Sequence, residues 1–514
     1  MALPMAVQLT GDNLTINDVW AVAVDRAPAA LSDEARDKIV RARELVERAA
    51  HGTDEHTYGI NTGFGRFVSH SIPEELTAEL QIRLLRSHAC GVGEPYPDEV
   101  VRAAMLLRAN ALAKGFSGAR PQTVELLVEC LNRNVVPHVP SRGSVGASGD
   151  LAPLAHLALP LVGEGEAWVD GNRMAGAAAL AAAGLEPIVL EAKEGLSLVN
   201  GTQFMAAFGA LALARGRRLA KTADIACAMS VEALQGSRTS FLPQIHASRP
   251  LPGQIDSAAN VLELLEDSAI IESHRWCDKV QDAYSLRCAP QVHGASRDLL
   301  AYGESIVSVE LNAATDNPLV LADDELLVSN GNFHGQPLAF ALDTLAMAVS
   351  ELANISERRV ERLVNPSLSE GLPPFLTIDG GLNSGFMIPQ YVAAALVSEN
   401  KALCHPASVD SIPTSAGQED HVSMGNAAGL KAWQVVANAE RVLAIELLAG
   451  AQAIEFFAPL EAGIGARAAR DAVRALSPRV SDDRSLSGDI EAVAASIRDG
   501  SYVASVEAET GELR

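Results

Sequence analysis

The chain has 514 residues, of which 48% are hydrophobic and 20% are charged. This balance is typical of a globular protein with a large core. The formal net charge of −24 argues against nucleic acid or an anionic membrane as the main partner.

Six scattered cysteines show no C-x-x-C spacing, so neither a zinc site nor a disulfide framework is indicated. The first ten residues lack a basic segment followed by a long apolar one, and the apolar stretches elsewhere are too short or carry charges. We therefore expect a cytoplasmic protein in a reducing compartment, without a membrane partner.

The first half of the chain predicts short elements. A short strand precedes a helix that starts near Thr15, and charged amphipathic spacing predicts a helix over residues 31–50. Prolines at helix starts and glycines after helix ends predict further helices over 73–90, 97–114 and 121–132. Residues 168–172 resemble a small hairpin.

The second half predicts long helices, over residues 202–234, 335–363 and 421–457. Low aromatic content, 4%, and abundant Ala and Leu also favour helix over sheet. The predicted fold is mainly α: a core bundle of long helices with a mixed, loop-rich N-terminal part. We expect this N-terminal part over residues 1–200 and the helix bundle with C-terminal helices over 201–514, as one continuous structural unit.

Small residues dominate a loop within the N-terminal part, Gly143-Ser144-Val145-Gly146-Ala147-Ser148-Gly149-Asp150. A tight turn is the simplest interpretation, because Gly permits positive φ and close backbone approach. An anion cradle before a helix is the second, although neither nucleotide-binding glycine motif is present, so no nucleotide is expected. Self-modification is the third.

Self-modification would use Ala147, Ser148 and Gly149. The amide nitrogen of Gly149 would attack the carbonyl carbon of Ala147, and loss of water would close a five-membered ring. Dehydration of Ser148 would then leave an exposed methylidene group. The chemistry favours Gly at the attacking nitrogen and Ser, with its β-leaving group, in the middle.

Other side chains are candidates for chemistry, and each also has a purely structural explanation. Tyr58, in a loop flanked by glycines, could be a half-buried ring with a solvated hydroxyl. His88 could be a cation at a helix C-terminus, and Asn200 could be an N-cap.

Tyr284 and Arg287 would share a face if their segment is helical, as a binding pair or as a structural cation–π pair. Phe333 could be a core residue beside a helix cap, and Glu419 could be a solvated acid at a helix N-terminus. His421 lies near Glu419, but no H-E-x-x-H pattern supports a metal site, and none is expected.

Taken together, six stretches resemble the histidine ammonia-lyase family, within the aromatic amino acid ammonia-lyases. They are Tyr58-Gly59-Ile60-Asn61-Thr62-Gly63-Phe64-Gly65, Gly146-Ala147-Ser148-Gly149-Asp150, Leu198-Val199-Asn200-Gly201-Thr202, Tyr284-Ser285-Leu286-Arg287, Asn332-Phe333-His334-Gly335-Gln336-Pro337 and Gln418-Glu419-Asp420-His421-Val422-Ser423-Met424-Gly425. The resemblance covers essentially the whole chain. It implies a helical homotetramer with active sites shared between subunits, and a 4-methylidene-imidazol-5-one group made from Ala147, Ser148 and Gly149.

The resemblance also implies roles. Elimination of ammonia needs an electrophile for the amine and a base for the β-hydrogen. Tyr58 would be that base. Arg287 would bind the substrate carboxylate, because its planar guanidinium matches a carboxylate. Asn200 and Tyr284 would hydrogen-bond near the prosthetic group and the carboxylate.

Phe333 would wall the pocket, and the choice of substrate would depend on His88 and Glu419. His88 favours only a polar ring, because relatives acting on tyrosine also have His there. Phenylalanine and tyrosine lyases have Gln in place of Glu419, and an ionised carboxylate accepts an imidazole N–H. L-Histidine, giving trans-urocanate and ammonia, is therefore the expected substrate. One departure is Gly417, where many relatives have Asn, and it puts the local loop conformation in doubt.

Three alternatives remain at this point. A tyrosine ammonia-lyase or aminomutase would use the same prosthetic group. A catalytically silent helical scaffold would keep the fold without the reaction. A helical lyase of the fumarase and aspartase type also uses a Ser-containing loop, but the Ala-Ser-Gly context and the Tyr58 loop argue against it.

Overall fold

The computed structural model describes residues 6–514 except 53–59, 61, 64–66, 68 and 71. Tyr58 and most of its glycine-flanked loop lie outside the described residues. Helix makes up most of the described chain, so the predicted mainly α fold is confirmed. The helices are α1 Ile16–Ala23, α2 Asp33–Gly52, α3 Thr77–His88, α4 Asp98–Ala113, α5 Pro121–Asn132, α6 Leu151–Ala158, α7 Gly176–Ala182, α8 Glu194–Val199, α9 Gln203–Ala233, α10 Pro243–Ala247, α11 Pro252–Leu264, α12 Ala269–Ser273, α13 Tyr284–Arg287, α14 Ala289–Glu310, α15 Gln336–Val364, α16 Met387–Leu403, α17 Gly425–Ile454, α18 Ile464–Leu476, α19 Ser487–Asp499 and α20 Ser501–Thr510.

The described strands are short and form small sheets. They are β1 Val7–Leu9, β2 Ala29–Leu31, β3 Val92–Pro95, β4 Val136–Pro137, β5 Pro140–Arg142, β6 Glu166–Val169, β7 Asn172–Ala175, β8 Leu319–Leu321 and β9 Leu326–Val328. β1 and β2 pair in parallel, whereas β3–β5, β4–β6–β7 and β8–β9 are antiparallel. The predicted hairpin is confirmed as β6–β7, with Asp170 and Gly171 both at positive φ in its turn.

The chain divides into two compact units. The first comprises residues 1–214, 303–343 and 406–430, and the second comprises 215–302, 344–405 and 431–514. The split expected from the sequence, with an N-terminal part over 1–200 and a helix-rich part over 201–514, stays a prediction about chain organisation. All the described strands belong to the first unit.

The core of the first unit is built around α4, in which every residue from Val100 to Ala113 is buried. α4 packs against α1, α2 and α5. α1 begins at the predicted place because Thr15 caps it, and Thr15 and Asp18 form a reciprocal capping box.

The second unit places buried charges between helices. The guanidinium of Arg359 and the carboxylate of Glu446 are fully buried and paired, with Nη2 donating to Oε2 over 2.9 Å. The Ser230 hydroxyl donates to the other oxygen of Glu446 over 2.7 Å. Because an unpaired buried charge is costly, this network fixes the positions of α9, α15 and α17 within this unit.

One described helix, α15, is long and apolar enough to cross a membrane by length and composition alone. In its apolar window, 67% of the residues are buried inside the structure, a property shared by core helices of globular proteins.

Candidate active site

The Ala147-Ser148-Gly149 segment is a compressed turn in the first unit, between β5 and α6. The main chains of Ala147 and Gly149 face each other in an isolated antiparallel bridge, and Gly149 also bridges to Gly201. Gly149 has φ +75°, and a Cβ there would lie 2.1 Å from the carbonyl oxygen of Gly201. This position therefore requires Gly, as both the turn and the ring-closing interpretations predict.

Residues just before α17 hold the turn from the other side. The Ser423 hydroxyl donates to the carbonyl oxygen of Gly146 over 2.9 Å. The amide of Met424 donates to the carbonyl oxygen of Val145, also over 2.9 Å. The loop of small residues is thus bonded to a segment far away in the sequence.

Asp150 is a buried carboxylate for which the sequence predicts no role. Its Oδ2 accepts from the amide of Met205 over 3.0 Å, and its Oδ1 accepts from the Ser144 hydroxyl over 2.9 Å. Burial raises the pKa of Asp150 to about 6, while these hydrogen bonds act in the opposite direction. Asp150 therefore joins the turn to the first residues of α9.

Glu419 contacts the central residue of the turn. The hydroxyl of Ser148 donates to Glu419 Oε1 over 2.8 Å, and the hydroxyl of Thr414 donates to Glu419 Oε2 over 2.6 Å. Both Glu419 and Thr414 are half buried. The helix predicted over residues 421–457 begins instead at Gly425, because Met424 has a left-handed φ of +55° and interrupts it. Glu419 is therefore not a solvated acid in the first turn of that helix.

His88 is the last residue of α3, so it lies at a helix C-terminus as predicted, although the helix ends before the predicted residue 90. Burial lowers the pKa of His88, against the opposing effects of the Leu84 carbonyl and the Glu419 charge. His88 Nδ1 lies 2.9 Å from the carbonyl oxygen of Leu84, which can only accept, so Nδ1 carries the proton and Nε2 is an acceptor in the neutral ring. Burial thus disfavours the cation that the structural explanation required.

Asn200 follows α8 as its C-cap rather than acting as the N-cap of α9. Its side chain is buried, and its Oδ1 has no hydrogen-bond partner among the described residues. Its carbonyl oxygen accepts from Nη1 of Arg108 over 2.6 Å. Arg108 is fully buried, which lowers its pKa to about 10, although the charge of Asp316 opposes the shift.

Tyr284 and Arg287 belong to the second unit and form α13. The guanidinium carbon of Arg287 lies 4.8 Å from the centroid of the Tyr284 ring, so the predicted shared face is confirmed. Arg287 donates to the carbonyl oxygen of Asp282 over 2.9 Å and to Gln281 Oε1 over 2.8 Å. The Tyr284 side chain is 71% exposed.

The first unit brings Ser148 and Glu419 into contact and holds Asn200 beside the turn, through the bridge between Gly149 and Gly201. Phe333 is half buried in the turn before α15, in the same unit. Among the residues that the structure describes, no group of three or more His, Cys, Asp or Glu side chains could hold a metal ion.

Two buried residues of this site, Asp150 and Arg108, are not predicted from the sequence. For Arg108 the sequence does carry a signal. Arg108 interrupts an apolar run on α4, and a charge in such a run indicates a buried, hydrogen-bonded group.

The structure also explains Gly417, which has φ +82° and open space around its Cβ position. Asn tolerates this left-handed conformation, so either residue fits the loop.

The fold is mainly helical, and the candidate site residues of the first unit lie in turns and at helix ends. The chain belongs to the aromatic amino acid lyase family, whose model matches residues 14–475. It is a carbon–nitrogen lyase.

Known proteins resemble this chain over nearly its full length. It is 58% identical to the histidine ammonia-lyase of Gloeobacter violaceus, with 98% of each chain covered. The crystal structure of histidine ammonia-lyase from Trypanosoma cruzi is 46% identical, with a TM-score of 0.91, covering 99% of this chain and 96% of that one. The tyrosine aminomutase of Streptomyces globisporus is 38% identical, with a TM-score of 0.94, covering 99% of this chain and 100% of that one.

Proposed function

We propose that the chain eliminates ammonia from L-histidine without oxidation and releases trans-urocanate, the first step of histidine degradation. The contact between Ser148 and Glu419, inside a turn with Ala and Gly on either side of the serine, carries this proposal. It joins the residue that would become the electrophile to the residue that would bind the imidazole. The high identity to histidine ammonia-lyases supports the same reaction.

The proposed prosthetic group is 4-methylidene-imidazol-5-one, formed from Ala147, Ser148 and Gly149. The residues fit such a group in two respects. The main chains of Ala147 and Gly149 are already bridged, and no Cβ is tolerated at Gly149. The buried Oδ1 of Asn200 has no partner among the described residues and is available to accept from an N–H of the substrate. When formed, the group supplies an electrophile that makes the substrate amine a better leaving group.

His88 and Glu419 together suit an imidazole ring better than a phenol. Glu419 offers a carboxylate oxygen, and the neutral His88 ring offers Nε2 as an acceptor. A neutral imidazole carries one N–H donor, and protonation beside the Glu419 carboxylate gives the ring a second one, whereas a phenol carries a single O–H donor. Two acceptors therefore favour histidine over tyrosine as the substrate.

The remaining roles follow the resemblance. Tyr58 would remove the β-hydrogen, Arg287 would bind the carboxylate, and Tyr284 would hydrogen-bond near it. The fork of Arg287 uses Nε and Nη2 for hydrogen bonds within its own segment. Nη1 makes no hydrogen bond to the residues that the structure describes, and it would donate to a carboxylate oxygen. Phe333 would form a wall of the pocket, which excludes water from the reacting atoms.

We propose a homotetramer whose active sites are shared between subunits. The exposure of Tyr284 in a single chain supports this proposal. An aromatic side chain that binds substrate is expected to be buried, and a neighbouring subunit would bury it. Light scattering of the purified protein tests the assembly, and a mass of one or two chains would contradict it. The cytoplasmic location stays a prediction from the sequence.

A tyrosine ammonia-lyase or aminomutase is the second candidate. The chain is similar to tyrosine aminomutase over almost its whole length. The resemblance also implies that His88 alone does not separate histidine from tyrosine. The two candidates differ in product rather than in the prosthetic group, so a product assay separates them.

The experiment follows absorbance in the urocanate band after purified protein is mixed with L-histidine, and a parallel reaction contains L-tyrosine. We expect urocanate from histidine and little product from tyrosine. Coumarate or β-tyrosine without urocanate would assign the chain to the second candidate. If folded protein forms no product from either amino acid, a scaffold without catalytic activity would be favoured.

Tyr58→Phe should lose nearly all turnover, about 10²–10⁴-fold in kcat, the usual contribution of a positioned base. The ring-forming residues are untouched, so the intact mass should still be lower than the sequence mass by two water molecules. Kinetics and mass spectrometry of one preparation check both points. Near-normal turnover would remove Tyr58 from the role of base.

A further inference from the structure

Glu419 is held at both carboxylate oxygens. Oε1 accepts from the Ser148 hydroxyl over 2.8 Å, and Oε2 accepts from the Thr414 hydroxyl over 2.6 Å. If Ser148 loses its hydroxyl as water during ring formation, Oε1 loses this partner and becomes free for a substrate N–H. Oε2 keeps its hydrogen bond from the Thr414 hydroxyl. One oxygen would therefore bind the substrate, and the other would hold the carboxylate in place.

The backbone reinforces this arrangement. Thr414 and Glu419 form an isolated antiparallel bridge, in which the Thr414 amide donates to the Glu419 carbonyl over 2.9 Å and the reverse bond measures 3.3 Å. Between them, Ser415, Ala416 and Gly417 all have left-handed φ values of +52°, +54° and +82°. Two consecutive left-handed residues other than Gly are uncommon and persist only where the surroundings impose them. The conformation of residues 415–417 therefore holds Thr414 and Glu419 next to each other.

The torsion of a glutamate carboxylate has no strong preference of its own. The terminal torsion of Glu is broad and roughly two-fold, so hydrogen bonds decide where the two oxygens point. In this site the Thr414 hydroxyl is the donor that fixes Oε2, and it thereby directs Oε1 toward position 148.

We propose that Thr414 is a positioning residue that orients the Glu419 carboxylate for the substrate ring. This inference rests on the proposed function, because it assumes that Glu419 binds the imidazole. Among the described residues, the Thr414 hydroxyl donates to Glu419, so its effect on the substrate would be indirect. Its hydroxyl acts through Glu419 alone, and it sets the preference for a ring that carries an N–H donor.

The test is Thr414→Val, which replaces the hydroxyl by a methyl group of similar size. We expect kcat/KM for L-histidine to fall about tenfold, the order of change for one hydrogen bond to a charged group. Thr414→Ser restores a hydroxyl and should recover most of the loss. The intact mass should still show the loss of two water molecules in both variants.

Thr15→Val is the matched control. Its hydroxyl also donates to a carboxylate, Asp18 Oδ2, over 2.6 Å, but in the capping box of α1. It should lower the melting temperature without changing kcat/KM.

Wild-type protein that makes no urocanate would remove the proposed function and this inference together. Two results with an active wild type would remove the role of Thr414 alone. One is an unchanged kcat/KM in Thr414→Val, and the other is an equal loss of kcat/KM in Thr414→Val and Thr414→Ser. Incomplete ring formation in Thr414→Val would also overturn it.

Discussion

Ser148→Ala is expected to abolish urocanate formation, with kcat/KM lowered by roughly 10⁴-fold or more, the order of loss when a covalent catalytic group is removed. Alanine has no β-leaving group, so the exposed methylidene cannot form at position 148. The fold should survive. The Ser148 side chain is half buried and donates a hydrogen bond to Glu419, and losing one such bond costs about 1 kcal/mol.

Two measurements on Ser148→Ala separate the chemistry from the fold. Circular dichroism and thermal melting should match those of the wild type closely. The intact mass of the wild type should lack two water molecules, whereas the variant cannot lose the water that comes from the Ser148 side chain. Ser141→Ala makes the same change in β5, outside the triplet, and should keep the full mass loss. Substantial urocanate formation by Ser148→Ala would end the proposal of a self-made electrophile.

Much of the fold could be predicted because its signals are local. The helix predicted over residues 121–132 is α5, since proline opens it and its apolar residues follow a helical period. α1 begins where its capping box indicates. The sequence predicts that α17 begins at residue 421, four residues before its start at Gly425, since the left-handed Met424 has no local signature.

The site itself is only partly encoded in local patterns. The Ala-Ser-Gly triplet in its glycine-rich context indicates the turn, because backbone compression requires small residues. The partner of Ser148 lies 271 positions away, so no spacing rule could join it to Glu419. The resemblance to a family supplied both residues, and the structure adds their contact.

Thr414 and Asp150 show why the rest could not be predicted. A threonine among exposed residues has no distinguishing sequence pattern, and its function follows only from a hydrogen bond to one carboxylate oxygen. Asp150 follows the Gly-rich loop, where a helix cap is the ordinary expectation. In the structure its carboxylate instead bonds the Met205 amide and the Ser144 hydroxyl, and no side-chain cap bond to α6 is made.

Glu419→Gln is expected to lower kcat/KM for L-histidine about 10²-fold, since hydrogen bonds to charged groups contribute about 1.5–3 kcal/mol. The amide keeps the shape of the side chain but loses the negative charge, and it presents N–H donors where the imidazole needs an acceptor. An amide oxygen can still accept from Thr414 or Ser148, so the turn should keep its structure. The intact mass should therefore show complete ring formation.

Asp420→Asn is the matched control for Glu419→Gln. It changes the net charge by the same amount at the next position, where the side chain is exposed. If the loss came from the general electrostatic field, both variants would lose activity, whereas a specific contact predicts a loss only at position 419. Any rise in product from tyrosine should also be confined to Glu419→Gln, since the resemblance implies Gln at this position in lyases that act on tyrosine. Unchanged histidine kinetics in Glu419→Gln would remove the main physical argument for histidine, even if the protein formed urocanate.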